Sequence, residues 1–354
     1  MAKKNLAIIG YGGQGGWHAQ MAQSSDVVEL KGVYDILPER NALAESRGIR
    51  AYPDLGALLS DPSVDIVTVA TPNDTHYEIV LKALKAGKNV ICEKPVEMQY
   101  DRVLEMIRTA KENGVCFTVH QNRRWDVDFL AMKRILREGM IGAPLHIESR
   151  VHGSRGIPSD WRGTKAHGGG MILDWGVHLI DQILQLIDSE IDSVFCDVTH
   201  YTNKEVDDGF RLNIYFKNGV TAFVEVGTFN FIAMPRFYLQ CEKGTSMIRD
   251  WRECAKVVRY KYWHENDVMP VQTAAGITKT MAPRDEITTD IFEVERPVAD
   301  VHDFYRNYVR AVDGLEPQLV THEQMLRVMK VMLSAFRSAE THQVVSFRED
   351  LSCF

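Results

Sequence analysis

From Leu6 to His120 short apolar runs alternate with stretches patterned for helices. Leu6 to Ile9, Val28 to Tyr34, Ile66 to Ala70, Asn89 to Cys92 and Val115 to His120 each predict a strand. Helices are predicted from about Gln14 to Ser24, after Tyr34 through Arg47, from Thr75 to Ala86 with Gly87 closing, and from Asp101 to Asn113. Strands without polar alternation, separated by helices, indicate a parallel sheet covered on both faces.

After Gln121 the pattern changes. A helix near Asp128 to Arg137 leads to a strand around Leu145 to His152, a loop, and a helix from Met171 to Ile187. From Ile191 to Arg259 strands follow one another, with hairpin signals at Lys217-Asn218-Gly219 and Glu242-Lys243-Gly244. Adjacent strands imply an antiparallel sheet. Residues 264 to 298 read as a long irregular loop, and helices at about Asp300 to Val312 and Glu323 to Glu340 close the chain. The fold class is α/β in two domains, residues 1–122 and 123–354, with the last helices able to pack back on the first domain.

The helix from Met171 is apolar almost all round, which means burial. Yet Asp174, His178 and Asp181 stand at i, i+4 and i+7, on one helical face. A buried carboxylate and imidazole are costly unless paired or used. Gly176 between them sacrifices roughly 1 kcal/mol of helix propensity, as if another group must come close. Asp181, a further turn along, reads as structural.

Composition narrows the class. The 354 residues are 45% apolar and 25% charged, with net charge −7, which disfavours nucleic acid or an anionic membrane as partner. Six dispersed cysteines without a CxxC pair suit reduced thiols in a cytoplasmic setting. The opening MAKKNLAIIGYGG runs into a glycine turn without a cleavage site and reads as a strand. No run approaches the ~18 apolar residues of a membrane span.

The first strand ends in Gly10-Tyr11-Gly12-Gly13-Gln14-Gly15-Gly16, which carries G-x-G-x-x-G at Gly10, Gly12 and Gly15. The glycines permit a tight turn, approach of a pyrophosphate and packing of helix on strand, and the helix N-terminus offers N–H groups to phosphate. Asp35 lies twenty residues past Gly15, where an acid binds ribose hydroxyls and repels a 2′-phosphate. NAD is therefore expected over NADP, although Arg40 nearby leaves the preference open. At further strand ends stand Thr71-Pro72-Asn73 with His76, then Glu93-Lys94-Pro95, then Gln121 and Arg123. Ligands of open parallel sheets bind beyond these ends, so all are candidates for one crevice, His76 equally for packing.

Gly10-x-Gly12-x-x-Gly15, Glu93-Lys94-Pro95 and Gly168-Gly169-Gly170…Asp174-x-Gly176-x-His178-x-x-Asp181, in this order, resemble the glucose–fructose oxidoreductase/inositol dehydrogenase (Gfo/Idh/MocA) family over nearly the whole chain. The resemblance implies an N-terminal Rossmann domain and a C-terminal α/β domain whose open, mostly antiparallel sheet builds a homodimer or homotetramer. It puts the family's catalytic lysine on Lys94 and its acid/base pair on Asp174 and His178. It implies oxidation of a secondary hydroxyl on a sugar, glycoside or inositol-type polyol, or the reverse. An alternative is glycoside cleavage by transient oxidation; a dinucleotide-sensing regulator is the third reading, which the intact Lys94, Asp174 and His178 oppose.

The residues support this chemistry independently. An imidazole cycles near neutral pH, so His178 is the expected proton acceptor. Asp174 would orient it or hold a substrate hydroxyl, and Lys94 would stabilise alkoxide charge. Arg123, Trp125, His152, Arg155, Trp161 and Arg162 are candidates for a polyhydroxylated substrate, and Trp161 and Arg162 for the cofactor too. No metal site is expected: His152, His167, Asp174 and His178 lack ligand spacing.

Overall fold

The computed structural model describes residues 2–262 and 268–347, so residues 264–267 of the expected loop and Cys353 lie outside the described residues. Five strands, β1 (Lys4–Ile9), β2 (Val28–Tyr34), β3 (Ile66–Val69), β4 (Asn89–Cys92) and β5 (Phe117–Val119), form a parallel sheet in the order β2-β1-β3-β4-β5. Helices α1 (Gly13–Ser24), α2 (Pro38–Ser46), α3 (Leu55–Ser60), α4 (His76–Lys85) and α5 (Tyr100–Glu112) connect them. Leu6, Ile8, Ile66, Val67, Val90 and Ile91 are wholly buried, as strands covered on both faces require. The strand order reverses between β1 and β3, and open sheets bind ligands at such a crevice.

The second sheet has nine strands in the order β15-β12-β11-β10-β6-β9-β8-β7-β16. After α6 (Val127–Arg137) come β6 (Pro144–His152), α7 (Val177–Leu186), β7 (Ile191–Thr199), β8 (Gly209–Phe216), β9 (Thr221–Gly227), β10 (Phe237–Cys241), β11 (Gly244–Ile248) and β12 (Ala255–Tyr260). A small hairpin, β13 (Val271–Thr273) with β14 (Gly276–Thr278), precedes β15 (Thr289–Val294), then α8 (His302–Val312), α9 (His322–Thr341) and β16 (Val345–Ser346). Every pairing in the nine-stranded sheet is antiparallel except β6 with β9. The expected irregular loop thus needs correction: it contains a hairpin and the edge strand β15. Its alternation is masked because the chain is mostly exposed there, so neither face carries a continuous apolar signal.

Helices α6, α7 and α9 cover one face of this sheet. The uncovered face is mixed, with a charged cluster among its apolar positions. Glu225 on β9 bonds Arg150 at 3.1 Å and Arg211 at 2.9 Å, and Arg150 reaches Glu148 at 2.5 Å. Exposed apolar groups include Tyr215 on β8 and Ile291 on β15, and a cluster beyond β9 at Phe229, Phe231, Ile232 and Met234. The closing helices pack on the first domain: Tyr308 Oη donates to the carbonyls of Val90 and Cys116, and His302 and Arg306 lie against Ser24 and Asp26. No helix among the described residues is long and apolar enough to cross a membrane.

Candidate active site

The glycine turn is shaped by close approach. A Cβ on Gly15 would lie 1.8 Å from the Gly10 carbonyl oxygen, and one on Gly10, whose φ is +91°, would meet the Ala70 carbonyl at 2.5 Å. Gly12 and Gly13 border open space. Helix α1, which also contains Gln14, starts here with no side-chain cap and no acid in its first turn, leaving its N–H groups for an anion. Asp35 stands at the end of β2 beside the turn, accepting from Tyr11 N at 2.6 Å and Leu37 N at 2.9 Å. Its neighbour Ile36 is 82% exposed, a free apolar surface next to the acid.

Across the crevice Lys94, just past β4, meets the second domain. Its Nζ donates to Asp174 Oδ1 and to the Asp174 carbonyl, each at 2.9 Å. The other oxygen, Oδ2, accepts from Arg162 Nε at 3.2 Å. Burial works against the Asp174 charge, but the two cations hold its carboxyl below the usual carboxylate range. The helix expected from Met171 begins as a π-helical turn, Ile172–Gly176, before α7. Asp174 sits in that turn and His178 in the first turn of α7, so one face presents both. His178 is 4% exposed, and its Nδ1 has no partner. Burial, then the charges of Lys94 and Arg123, push it well below its ordinary value, so the ring is neutral. Gly176 is explained by β8: a Cβ there would lie 3.1 Å from the Phe210 ring.

The remaining candidates divide. Arg123 stacks over Trp175, its carbon 4.1 Å from the ring centroid, and that ring lies 6.1 Å from His178. Trp161 is covered by Arg162 at 4.5 Å. Asn73 is buried and donates to the Gly168 carbonyl at 2.9 Å, tying the two domains beside Thr71 and Pro72. Gln121, at the end of β5, is 3% exposed with its Oε1 unpartnered.

Other expectations meet a different arrangement. His76 is fully buried, with its ring nitrogens 2.9 and 3.0 Å from the Thr71 and Pro95 carbonyls; it pins two loops and turns no nitrogen to the crevice. Trp125 packs edge-on against Phe304, 5.9 Å away. His152 belongs to the uncovered sheet face, 3.3 Å from Glu225, because β6 alternates its side chains between faces. Arg155 is exposed on the following loop and makes no contact with the Lys94–Asp174 pair. Glu93 is buried behind Lys94, with both oxygens already accepting from the protein. His167 pairs with Asp74 at 3.1 Å. Asp181 is structural, in line with its reading from the sequence, gripped by Arg124 at 2.6 and 2.8 Å.

Residues without motif spacing complete the site. Trp251, on the loop after β11, stands 6.0 Å from Trp175, and Arg236 stacks on it at 4.6 Å while bonding Gln182 of α7. Asp207 accepts from Ile172 N at 2.8 Å and so caps the helix that carries Asp174 and His178. Burial pushes this carboxyl up to about 7.

The orphaned Gln121 oxygen, the open space at Gly12 and Gly13, the uncapped start of α1 and Asp35 together fit a dinucleotide. Residues 4–121 match the family model described as an oxidoreductase family with an NAD-binding Rossmann fold, and residues 129–247 match the GFO/IDH/MocA C-terminal domain. A solved NAD-binding protein from Listeria innocua is 43% identical, with 98% of this chain and 100% of that one aligned at a TM-score of 0.94. An uncharacterised oxidoreductase of Schizosaccharomyces pombe is 34% identical over 194 residues, 52% of this chain and 53% of its own length. The chain thus spans about half the length of the first curated relatives it matches. The scyllo-inositol 2-dehydrogenase (NADP(+)) IolW of Bacillus subtilis aligns more fully, 26% identical over 351 residues, 96% of this chain and 95% of that one. With both domain models matched in order, the chain belongs to the GFO/IDH/MocA oxidoreductase family.

Proposed function

We propose that the protein is a dinucleotide-dependent dehydrogenase that oxidises a secondary hydroxyl of a sugar, glycoside or inositol-type polyol, or reduces the corresponding ketone. The observation that carries this reading is the Lys94–Asp174 ion pair, closed at 2.9 Å between the two domains beside the neutral, unpartnered His178. When bound, the nicotinamide ring accepts or returns the hydride. Phosphates would lie on the amides of Gly12 to Gly15, and ribose hydroxyls on Asp35, which favours NAD over NADP.

The side chains handle the proton and the charge. A substrate hydroxyl at the crevice loses its proton to the neutral His178 ring, while its hydrogen on carbon leaves as hydride. Lys94 stabilises the oxygen as negative charge develops. Asp174 holds the Lys94 ammonium in place. Arg123 and Trp251 border the space for the rest of a polyhydroxylated substrate. The uncovered charged sheet face and the apolar loop beyond β9 form the surface on which a homodimer or homotetramer would assemble.

The test is to identify the nucleotide retained on purification and then follow NADH and NADPH absorbance across inositols, sugars and glycosides. Turnover of a polyol that requires Lys94 and His178 supports the reading. Sugar release without net reduction of nucleotide would replace it with cleavage by transient oxidation.

A further inference from the structure

Glu93 immediately precedes Lys94, and its carboxylate lies in a wholly enclosed space among α1, the end of β5 and α8. His18 Nε2 is 2.7 Å from Oε1, His120 Nδ1 is 2.8 Å from the same oxygen, and Lys94 N donates to Oε2 at 3.0 Å. The His18 Nδ1 in turn lies 2.5 Å from Tyr305 Oη. His18, His120 and Tyr305 are 0% exposed and Glu93 is 6%.

The chemistry assigns every proton. An ionised carboxylate only accepts, so the nitrogens facing Oε1 must each carry hydrogen. His18 is then protonated on Nε2, which leaves Nδ1 bare to accept from Tyr305. His120 is protonated on Nδ1, and its bare Nε2 is the atom without a partner. Burial holds His18 below its ordinary value and therefore neutral. Burial opposes ionisation of Glu93, yet the two imidazoles hold it well below the usual carboxylate range. These three side chains are also the one group among the described residues close enough to ligate a metal. The spacings speak for hydrogen bonds, since ligands about 2.0–2.2 Å from one tetrahedral ion stand well over 3 Å apart.

An ionised carboxylate costs several kcal/mol to bury. A buried apolar residue would serve packing better, so the charge has another use. It lies one residue from the Lys94 ammonium and holds the Lys94 amide. Tyr305 comes from α8, more than two hundred residues downstream, and its hydroxyl fixes the tautomer through which His18 holds Glu93.

We propose that Glu93 is a positioning residue for Lys94, locked in place by His18, His120 and the Tyr305 hydroxyl, so that helix α8 sets the geometry of the active site. This rests on the proposed role of Lys94 in the reaction. Tyr305→Phe deletes one hydroxyl and keeps the ring; Glu93→Gln keeps the shape but turns an amide donor toward a donor.

The first measurement needs no turnover. Nitrogen NMR of histidine-labelled full-length protein should show a proton on His18 Nε2 with Nδ1 bare, and a proton on His120 Nδ1 toward Glu93. Tyr305→Phe should shift the His18 Nδ1 resonance alone. The second compares kinetics on the polyol that the turnover screen identifies. Glu93→Gln should lower kcat about 30-fold or more and Tyr305→Phe about 3- to 10-fold, with NADH affinity by fluorescence within about threefold of the parent. Glu93→Gln combined with Lys94→Ala should lose no more than Lys94→Ala alone, because the first acts through the second. Opposite tautomers, fully additive losses, or losses that fall on NADH affinity would each overturn the proposal. If Lys94→Ala alone kept full turnover while the tautomers stood as assigned, the role of Lys94 would fail instead.

Discussion

Lys94 and Asp174, eighty positions apart and in different domains, are joined twice, through the carboxylate and through the backbone carbonyl of Asp174 at 2.9 Å each. The ammonium is thereby aimed by both a side chain and the helix itself. Only the carboxylate contact can be deleted by mutation. Asp174→Asn should therefore leave Lys94 partly placed and lower kcat by about tenfold, while Lys94→Ala lowers it by at least ~10²-fold. Equal losses in the two variants would show that the carbonyl contact contributes nothing.

His178 is expected to act as a base that is already neutral. Burial and the neighbouring cations keep its pKa well below 6.5, so the proton-accepting form persists as pH falls through the usual histidine range. The kcat/KM profile for alcohol oxidation should show no limb near 6.5, its acid limb lying well below the usual histidine value. His178→Ala should cost at least ~10²-fold in kcat with little change in dinucleotide affinity. Near-normal turnover with an unchanged melting temperature would reduce His178 to a packed core residue.

Asp35 is spoken for by two backbone amides, yet it remains the acid beside the glycine turn. Asp35→Ser should weaken NAD binding and relax discrimination against NADP, since the ribose partner and the repulsive charge go together. Calorimetric titration of both dinucleotides checks this. Parent protein that binds the two equally would contradict a selective role for Asp35.

The strands of the first domain were legible because buried parallel strands are unbroken apolar runs between helices: β2 and β4 match their expected ends. The short helix α3 was not, as six residues with one buried position carry little periodicity. Lys94, Asp174 and His178 were legible because motif and helical spacing coincide. Tyr305, Asp207 and Trp251 were not, because each reaches the site through tertiary folding from a distant segment. His152 illustrates the converse: its place near the right helix in sequence says nothing about which sheet face it joins.

Assembly should depend on the uncovered sheet face. Light scattering at micromolar concentration is expected to give a dimer or tetramer. Glu225 sits between Arg150 and Arg211, so Glu225→Lys places three cations together and should shift the population toward monomer. Ile232→Asp, on the exposed apolar loop, tests the same surface without disturbing that network. A monomeric parent protein would end this reading.

The last expectation concerns Asp207, which caps the π-helical turn through Ile172 N at 2.8 Å and is pushed up to about 7 by burial. Its ordinary value is 3.8, so between those values the folded protein keeps a proton that the unfolded chain has lost. The folded state binds more protons there, and stability from this group therefore falls as pH rises. It is fully present below the ordinary carboxylate value and gone above about 7. Asp207→Asn keeps an oxygen for Ile172 N but cannot titrate. Measured from pH 5 to pH 8, the melting temperature of Asp207→Asn should gain on that of the parent up to about pH 7 and then level off. The gain is bounded by roughly 1.4 kcal/mol per pH unit of the window, a few degrees in all. A constant difference across this range would mean that Asp207 stays ionised in the fold, and that the start of the Asp174–His178 helix is capped by a permanent charge.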